Sequence, residues 1–166
     1  MKPRRLLSCS MLLIVSVSLA VARPATGAAA ASGEYGKELA QVYGTYQAIL
    51  ARKEACDQAA PALKGANERA YAAWRQRHAK LITELDDRFM KMIRGASKDE
   101  KDYARNIGKY EGAVLQQRQE VKETLLAQSR EELNELCKTL PELLKSSDSD
   151  LEKIYAEELA SIRRRP

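Results

Sequence analysis

Histidine and cysteine, the side chains most often used for metal binding and nucleophilic chemistry, are scarce in this chain. Its 166 residues include one histidine, His78, and three cysteines, Cys9, Cys56 and Cys137. A metal site needs several nitrogen, sulfur or carboxylate ligands that converge on one point. A catalytic triad needs a histidine beside a nucleophile and an acid. These residues supply neither set, so we expect no bound metal and no cofactor.

Neighbouring carboxylates are the other pattern that could support catalysis. They occur as Asp86–Asp87, Glu131–Glu132 and Glu157–Glu158. Adjacent residues of a helix point about 100° apart, so the two carboxylates of a pair cannot act together on one substrate. There is also no glycine-rich phosphate loop placed after a predicted strand. The sequence therefore predicts that the protein is not an enzyme.

The amino terminus has the layout of a secretory signal peptide. Met1–Arg5 is basic, Leu6–Ala22 is apolar, and Pro24 and a run of small residues follow. We predict a leader over residues 1–31, cleaved between residues 22 and 31. The alternative is an uncleaved membrane anchor. The apolar run is only at the short limit for spanning a bilayer, and the small residues that follow it favour cleavage. The predicted location is the periplasm or the cell exterior.

Two cysteines remain once the leader is removed. The lipid-attachment cysteine of a bacterial lipoprotein follows an apolar run, whereas Cys9 precedes one, so we assign Cys9 to the discarded leader. Cys56 and Cys137 are then an even pair in a chain bound for an oxidising compartment. We predict a disulfide bond between them.

The charge of the mature chain gives no support to nucleic-acid binding. The whole sequence carries a net charge of +5, but Lys2, Arg4, Arg5 and Arg23 belong to the leader. Their removal leaves 24 basic and 23 acidic residues, a net charge of +1. Nucleic-acid binding requires a basic surface, so we expect no nucleic-acid partner.

A single long helix is predicted over Pro61–Arg94, because apolar and aromatic residues recur there at steps of three and four. This stripe contains our candidate core residues, which are Tyr71, Trp74, His78, Leu81, Leu85 and Phe89. We interpret His78 as a buried histidine with a hydrogen-bond partner rather than as a metal ligand. Low glycine and aromatic contents also favour helix over strand.

Three further helices are predicted from similar patterns. The first, Glu34–Asp57, carries a heptad seam. The third begins at a capping box formed by Ser97 and Glu100 and runs to Pro141. The last follows a second capping box, Ser149 to Glu152, and we expect it to be short and loosely attached.

These elements predict an all-α domain over residues 34–166, an up-down antiparallel bundle of three long helices and a short C-terminal helix. Short connections make consecutive helices antiparallel neighbours. The first and third helices then point the same way. Because Cys56 and Cys137 each lie near the C-terminal end of a predicted helix, the two cysteines meet at the same end of the bundle.

Two segments resemble the helical-hairpin pattern of the lysozyme-inhibitor-like exported family. They are Glu38–Tyr43, ELAQVY, and Glu68–Arg75, ERAYAAWR. The family's cysteines flank the hairpin, whereas Cys56 lies inside it here. The resemblance implies inhibition of a wall-cleaving enzyme, and it transfers no functional residue. More broadly, the chain resembles small exported helical proteins of Gram-negative bacteria.

The leading functional hypothesis is protein binding in the periplasm, as an inhibitor, immunity protein or assembly factor. The expected partner is another envelope protein, and no stable membrane insertion is expected after cleavage. One alternative is a chaperone of loosely folded clients. A second alternative is a carrier of a small ligand or metal, which would need a pocket in the bundle. The sequence leaves the oligomeric state open.

Overall fold

The computed structural model describes residues 27–165, with side chains from residue 33 onward. The predicted leader falls outside this range except for residues 27–31, which form the start of a helix. The seven α-helices of the described chain are α1 Gly27–Ala59, α2 Lys64–Arg77, α3 Ala79–Gly95, α4 Glu100–Leu126, α5 Arg130–Leu143, α6 Leu151–Ile154 and α7 Ala156–Arg164. Short 3₁₀ turns occupy Pro61–Leu63 and Ser147–Ser149. The all-α prediction is confirmed.

Helix α1 is the central element, and its heptad seam faces the core. It extends beyond the predicted limits at both ends. A helix of this size is about 50 Å long, since each residue adds about 1.5 Å. The buried residues of the seam are Leu39, Val42, Tyr46, Ile49 and Cys56. The remaining helices pack around this buried stripe.

The predicted single helix over Pro61–Arg94 is wrong, because His78 interrupts it. The backbone of His78 has φ −96° and ψ 8°, outside the helical range, and separates α2 from α3. Its side-chain Nδ1 lies 2.9 Å from the carbonyl oxygen of Trp74, which its own backbone N–H also contacts at 3.2 Å. The side chain competes with the backbone for one carbonyl, and this competition loosens the turn.

The predicted third helix is also divided. Residues 127–129 separate α4 from α5, and Ser129 and Glu132 form a reciprocal capping box at the start of α5. The predicted box at Ser97 is wrong, because Asp99 is the N-cap of α4 and accepts from the backbone of Asp102. Pro141 lies inside α5, which ends two residues later.

The C-terminal segment is part of the core, which corrects the expectation of loose attachment. Leu151, Leu159 and Ile162 are buried. The predicted capping box at Ser149 does not form at the start of α6. The N-cap of α6 is Asp150, and its side chain makes no capping hydrogen bond. Helix α7 runs antiparallel to α1, as shown by contacts of Tyr155 with Thr45 and of Ser161 with Glu38.

The disulfide prediction is confirmed. Cys56 and Cys137 are bonded, with their Cα atoms 5.3 Å apart, and both are fully buried. The bond joins the C-terminal part of α1 to α5, as expected if the two point the same way. None of the described helices is both long and apolar enough to cross a bilayer.

Candidate binding groove

Three aromatic rings from three helices form a cluster on one side of the bundle. Tyr43 of α1 contacts Phe89 of α3 edge-to-face, with 5.0 Å between the ring centroids. Tyr110 of α4 lies 4.7 Å from Phe89 and 6.3 Å from Tyr43. Such contacts are favourable beyond the area they bury. They fix the relative positions of α1, α3 and α4 at this level.

A groove of about 330 Å³ opens over this cluster. Apolar side chains from α3 and α4 line it together with charged residues. The lining residues are Tyr43, Gln47, Asp86, Phe89, Met90, Tyr110, Glu111, Val114, Leu115 and Arg118. Phe89 is only 4% exposed. The groove therefore combines a buried aromatic floor with charged groups, an arrangement common in binding sites.

Two polar atoms of the groove residues are buried without a hydrogen bond of normal geometry among residues 27–165. One is the amide oxygen of Gln47, a residue that is only 6% exposed and whose side chain lies close enough to Tyr43 to interact with it. The hydroxyl of Tyr110 also lacks a hydrogen bond of normal geometry, but it lies close enough to Tyr43 to interact with it. Leaving a buried polar group unpaired costs about 1–3 kcal/mol. Both atoms are enclosed by protein and closed to solvent.

The ionisable groups of the groove have shifted pKa values. Burial, followed by the charge of Asp86, raises the pKa of Tyr43 to about 12. Burial is also the main cause that raises the pKa of Tyr110. Partial desolvation is the main cause that raises the pKa of Asp86. A hydrogen bond from Tyr43 lowers this pKa, and the negative charge of Asp87 raises it. Both tyrosines therefore stay protonated at neutral pH, and the hydroxyl of Tyr43 donates its proton to Asp86.

Helix α4 forms an outer wall of the groove and is incompletely covered. No residue of this helix, all of which is described, is fully buried. Leu115 is 54% exposed and lies on the groove wall. Leu115 is therefore an apolar side chain of the groove wall that is open to solvent.

The predicted core residues divide between this groove and a second, structural cluster. Trp74, His78, Leu81 and Leu85 are buried, whereas Tyr71 is only partly buried against the core. Of the six predicted residues, Phe89 alone lines the groove.

The second cluster holds the C-terminal segment in place. The indole N–H of Trp74 donates to the carbonyl of Ser149 at 2.8 Å. The backbone N–H of Leu151 donates to Nε2 of His78 at 3.3 Å. Asp150 approaches the same nitrogen at 3.5 Å; although desolvation opposes it, hydrogen bonds with Lys153 help to lower the pKa of Asp150. Trp74 and His78 therefore anchor the fold.

Gln47, Tyr43 and Tyr110 were not among our sequence-predicted site residues. Tyr43 and Gln47 each follow a heptad-seam residue, so the pattern placed them at the edge of the core. Tyr110 belongs to the stripe of α4, which the sequence assigned to packing alone. An unusual density of tyrosine on two predicted helices was the one available signal.

The described residues offer no evident centre for metal chemistry. Within residues 27–165, no group of three or more histidine, cysteine or acidic side chains is placed to hold a metal ion. His78 is bonded on both ring nitrogens, and the two cysteines form the disulfide. Clefts at three other places in the described chain have no aromatic ring in their lining, whereas the groove has three.

Comparison of the chain with protein-family models, with curated proteins and with solved structures finds no match. The resemblance to the lysozyme-inhibitor-like family therefore stays a prediction.

Proposed function

We propose that this is an exported protein that acts by binding another envelope protein rather than by catalysis, and that the groove is its docking site. The observation that carries the proposal is the exposure of Leu115 beside a groove that combines an aromatic floor with charged groups. Exposed apolar surface rimmed by polar groups is typical of protein interaction sites. Inhibitor, immunity and assembly roles all act through such a surface.

Export is supported by the disulfide and by the predicted leader. Structural disulfides form in oxidising compartments such as the periplasm and the cell exterior. Cys56 and Cys137 are both fully buried, which is typical of a structural bond rather than of a reactive one. A protein held in that compartment meets envelope proteins as its available partners.

The test is a differential capture of partners by the mature, disulfide-bonded protein. Tagged wild-type protein and the variant Leu115→Asp are each incubated with an envelope extract of the source cell, and bound proteins are identified by mass spectrometry. The matched control is Ile154→Asp. Ile154 is the other exposed large apolar side chain of the described residues, and it lies on α6, away from the groove lining.

We expect one stoichiometric partner that the wild type and Ile154→Asp retain and Leu115→Asp loses. Equal capture by all three proteins, or no capture by any, would refute the groove as a protein-docking site. A broad mixture of unfolded proteins bound by all three would support the chaperone alternative instead.

A small-ligand carrier is the second candidate, favoured by the aromatic and apolar lining of the groove. The groove volume of about 330 Å³ is at the lower end of the range for small-molecule sites. Native mass spectrometry of the protein purified from its source would detect a bound molecule. A single added mass, lost in a groove variant, would favour this candidate.

A further inference from the structure

Helix α4 has a side that faces away from the bundle and is exposed along the whole helix. The side that faces the core carries half-buried residues such as Tyr103, Tyr110 and Val121. On the opposite side, exposed residues recur at steps of three and four, which places them in one row on the helix surface. This row, which we call the outer face of α4, consists of Lys101, Arg105, Gly108, Gly112, Leu115, Gln119 and Glu123.

The charges of the outer face are arranged so that it complements itself. Lys101 and Arg105 lie in its first half, Glu123 lies in its second half, and Glu120 lies at its edge. Lys101 and Glu123 are equally far from Gly112, in opposite directions along the helix. Two copies of α4 that cross antiparallel at Gly112 would therefore place each Lys101 opposite the other copy's Glu123. In a two-fold symmetric contact every such pair occurs twice.

The charged groups of the outer face are available for such pairs. Glu123 and Glu120 each accept a hydrogen bond from a glutamine one turn earlier, at 2.8 Å and 2.9 Å. A glutamine amide is neutral, so it leaves the charge of each carboxylate in place. Arg105 pairs with Asp102 of its own helix but stays largely exposed, and an exposed pair of this kind is weak. A facing carboxylate can therefore compete for Arg105.

The middle of the outer face allows a second helix to approach closely. A side-chain carbon added at Gly108 or Gly112 would meet no other atom within 4 Å. The absence of side chains there lets two backbones come together. In the antiparallel crossing, Leu115 of one copy lies over Gly108 of the other, and this contact removes exposed apolar surface from water.

We propose that the protein forms a symmetric dimer through the outer faces of α4, with the two helices antiparallel. A second copy fits this face because its basic half then meets an acidic half. A parallel arrangement would instead place Lys101 against Lys101 and Glu123 against Glu123. The inference goes beyond the proposed function: the dimer covers Leu115, so the protein partner would bind the monomer.

The test is the association of the mature, disulfide-bonded protein, measured by sedimentation equilibrium over a range of concentrations. The variants are Lys101→Glu, Glu123→Lys and the double variant that carries both changes. An acid in the first turn of a helix and a base in the last turn both interact favourably with the helix dipole, so these changes preserve α4. The matched control is Lys80→Glu, the same change of charge at an exposed position of α3.

We expect the wild type to dimerise with a dissociation constant on the order of 100 μM, since the contact is small. Each single variant should raise this constant about tenfold, because two opposite-charge pairs become two like-charge contacts. The double variant should regain the affinity of the wild type, because it restores both pairs with their signs exchanged and keeps the net charge. Lys80→Glu should dimerise like the wild type, and added salt should weaken its dimer.

A wild type that is monomeric at every concentration, or single variants that associate as the wild type does, would overturn the dimer. A double variant as weak as the single variants would overturn the antiparallel pairing. Assembly beyond the dimer would overturn the closed two-fold arrangement.

The capture experiment separates this inference from the proposed function. Lys101 and Glu123 do not line the groove, so Lys101→Glu should still capture the partner that Leu115→Asp loses. A monomeric wild type whose partner depends on Leu115 would overturn the dimer alone. A dimer that behaves as expected but captures no partner would overturn the proposed function alone.

Discussion

Among single residues, His78 is held from two sides, and both contacts depend on one arrangement of its protons. The Leu151 N–H can only donate, so Nε2 accepts from it and Nδ1 carries the proton that is donated to the Trp74 carbonyl. The ring also packs 4.5 Å from the indole of Trp74. His78 thus links the break between α2 and α3 to the start of α6.

Replacement of His78 by leucine tests this link. The change keeps an apolar side chain at a buried position but leaves the Leu151 N–H without its acceptor. We expect His78→Leu to lower the free energy of unfolding by about 2 kcal/mol, the cost of an unsatisfied buried group. Urea denaturation followed by the fluorescence of Trp74 measures this.

The control is Gln76→Ala, at an exposed position in the same helix. It should change the free energy of unfolding by no more than about 0.5 kcal/mol, as is usual for surface substitutions. A similarly small effect of His78→Leu would show that the bond to Leu151 contributes little.

Sequence reasoning succeeds for residues on the seam and fails for residues beside it. The stripe predicted that His78 would be a core residue with a partner, and the structure gives it two. Gln47 is also buried, but a glutamine beside a heptad seam is usually solvated, so nothing in the pattern marks it. Its burial depends on where α4 lies, which no local pattern encodes.

Among the elements, the existence of the helices was predictable and their interruptions were not. The apolar stripe continues across both breaks, so periodicity alone joins α2 to α3 and α4 to α5. Ser129 and Glu132 form a capping box that is recognisable in the sequence. A new helix therefore begins there although the apolar stripe continues. The break at His78 has no such signature, because it arises from a side-chain contact with Trp74 that exists in the folded state.

The docking of α7 on α3 is an element-scale contact that responds to pH. Glu84 accepts hydrogen bonds from Arg163 of α7, at 2.9 Å for the shortest, and from Arg88 of its own helix at 3.0 Å. The bond from Arg163 is the largest effect and lowers the pKa of Glu84; partial burial opposes it, and Arg88 lowers the pKa further. The ionised form is therefore the form that stabilises the docked helix.

We expect Glu84→Gln to lower the free energy of unfolding by about 1 kcal/mol at pH 7. Because the folded-state pKa lies below the ordinary value of 4.5, the contribution of Glu84 is complete above that value. It is lost as the pH falls through the folded-state pKa. Denaturation curves of wild type and variant between pH 7 and pH 2 should therefore converge at the acidic end. An equal difference in the free energy of unfolding at all pH values would exclude ionisation of Glu84 as the cause. The control variant is Asp87→Asn, at an exposed position of the same helix.

In the whole molecule, the direction of the helices was predictable and the groove was not. Short connections impose the up-down order, and that order places Cys56 and Cys137 at the same end of the bundle. The groove depends instead on the axial position of α4 against α1 and α3, and a shift of one turn, about 5.4 Å, would separate Tyr110 from Phe89. The sequence specifies this register only through the combined packing of many side chains.

The disulfide contributes to the stability of the whole bundle because it closes a large loop. Cys56 and Cys137 are 81 residues apart. Cross-linking a loop of this size stabilises a fold by up to about 4.5 kcal/mol in the chain-entropy model. We expect Cys56→Ser combined with Cys137→Ser to lower the free energy of unfolding by about 3–4 kcal/mol, measured by urea denaturation.

The wild type in reducing agent should match the double variant, and the double variant should be insensitive to the reductant. A loss below about 1 kcal/mol in both, well under the usual cost of removing a native disulfide, would mean that the packing of α5 against α1 holds this end of the bundle without the covalent bond.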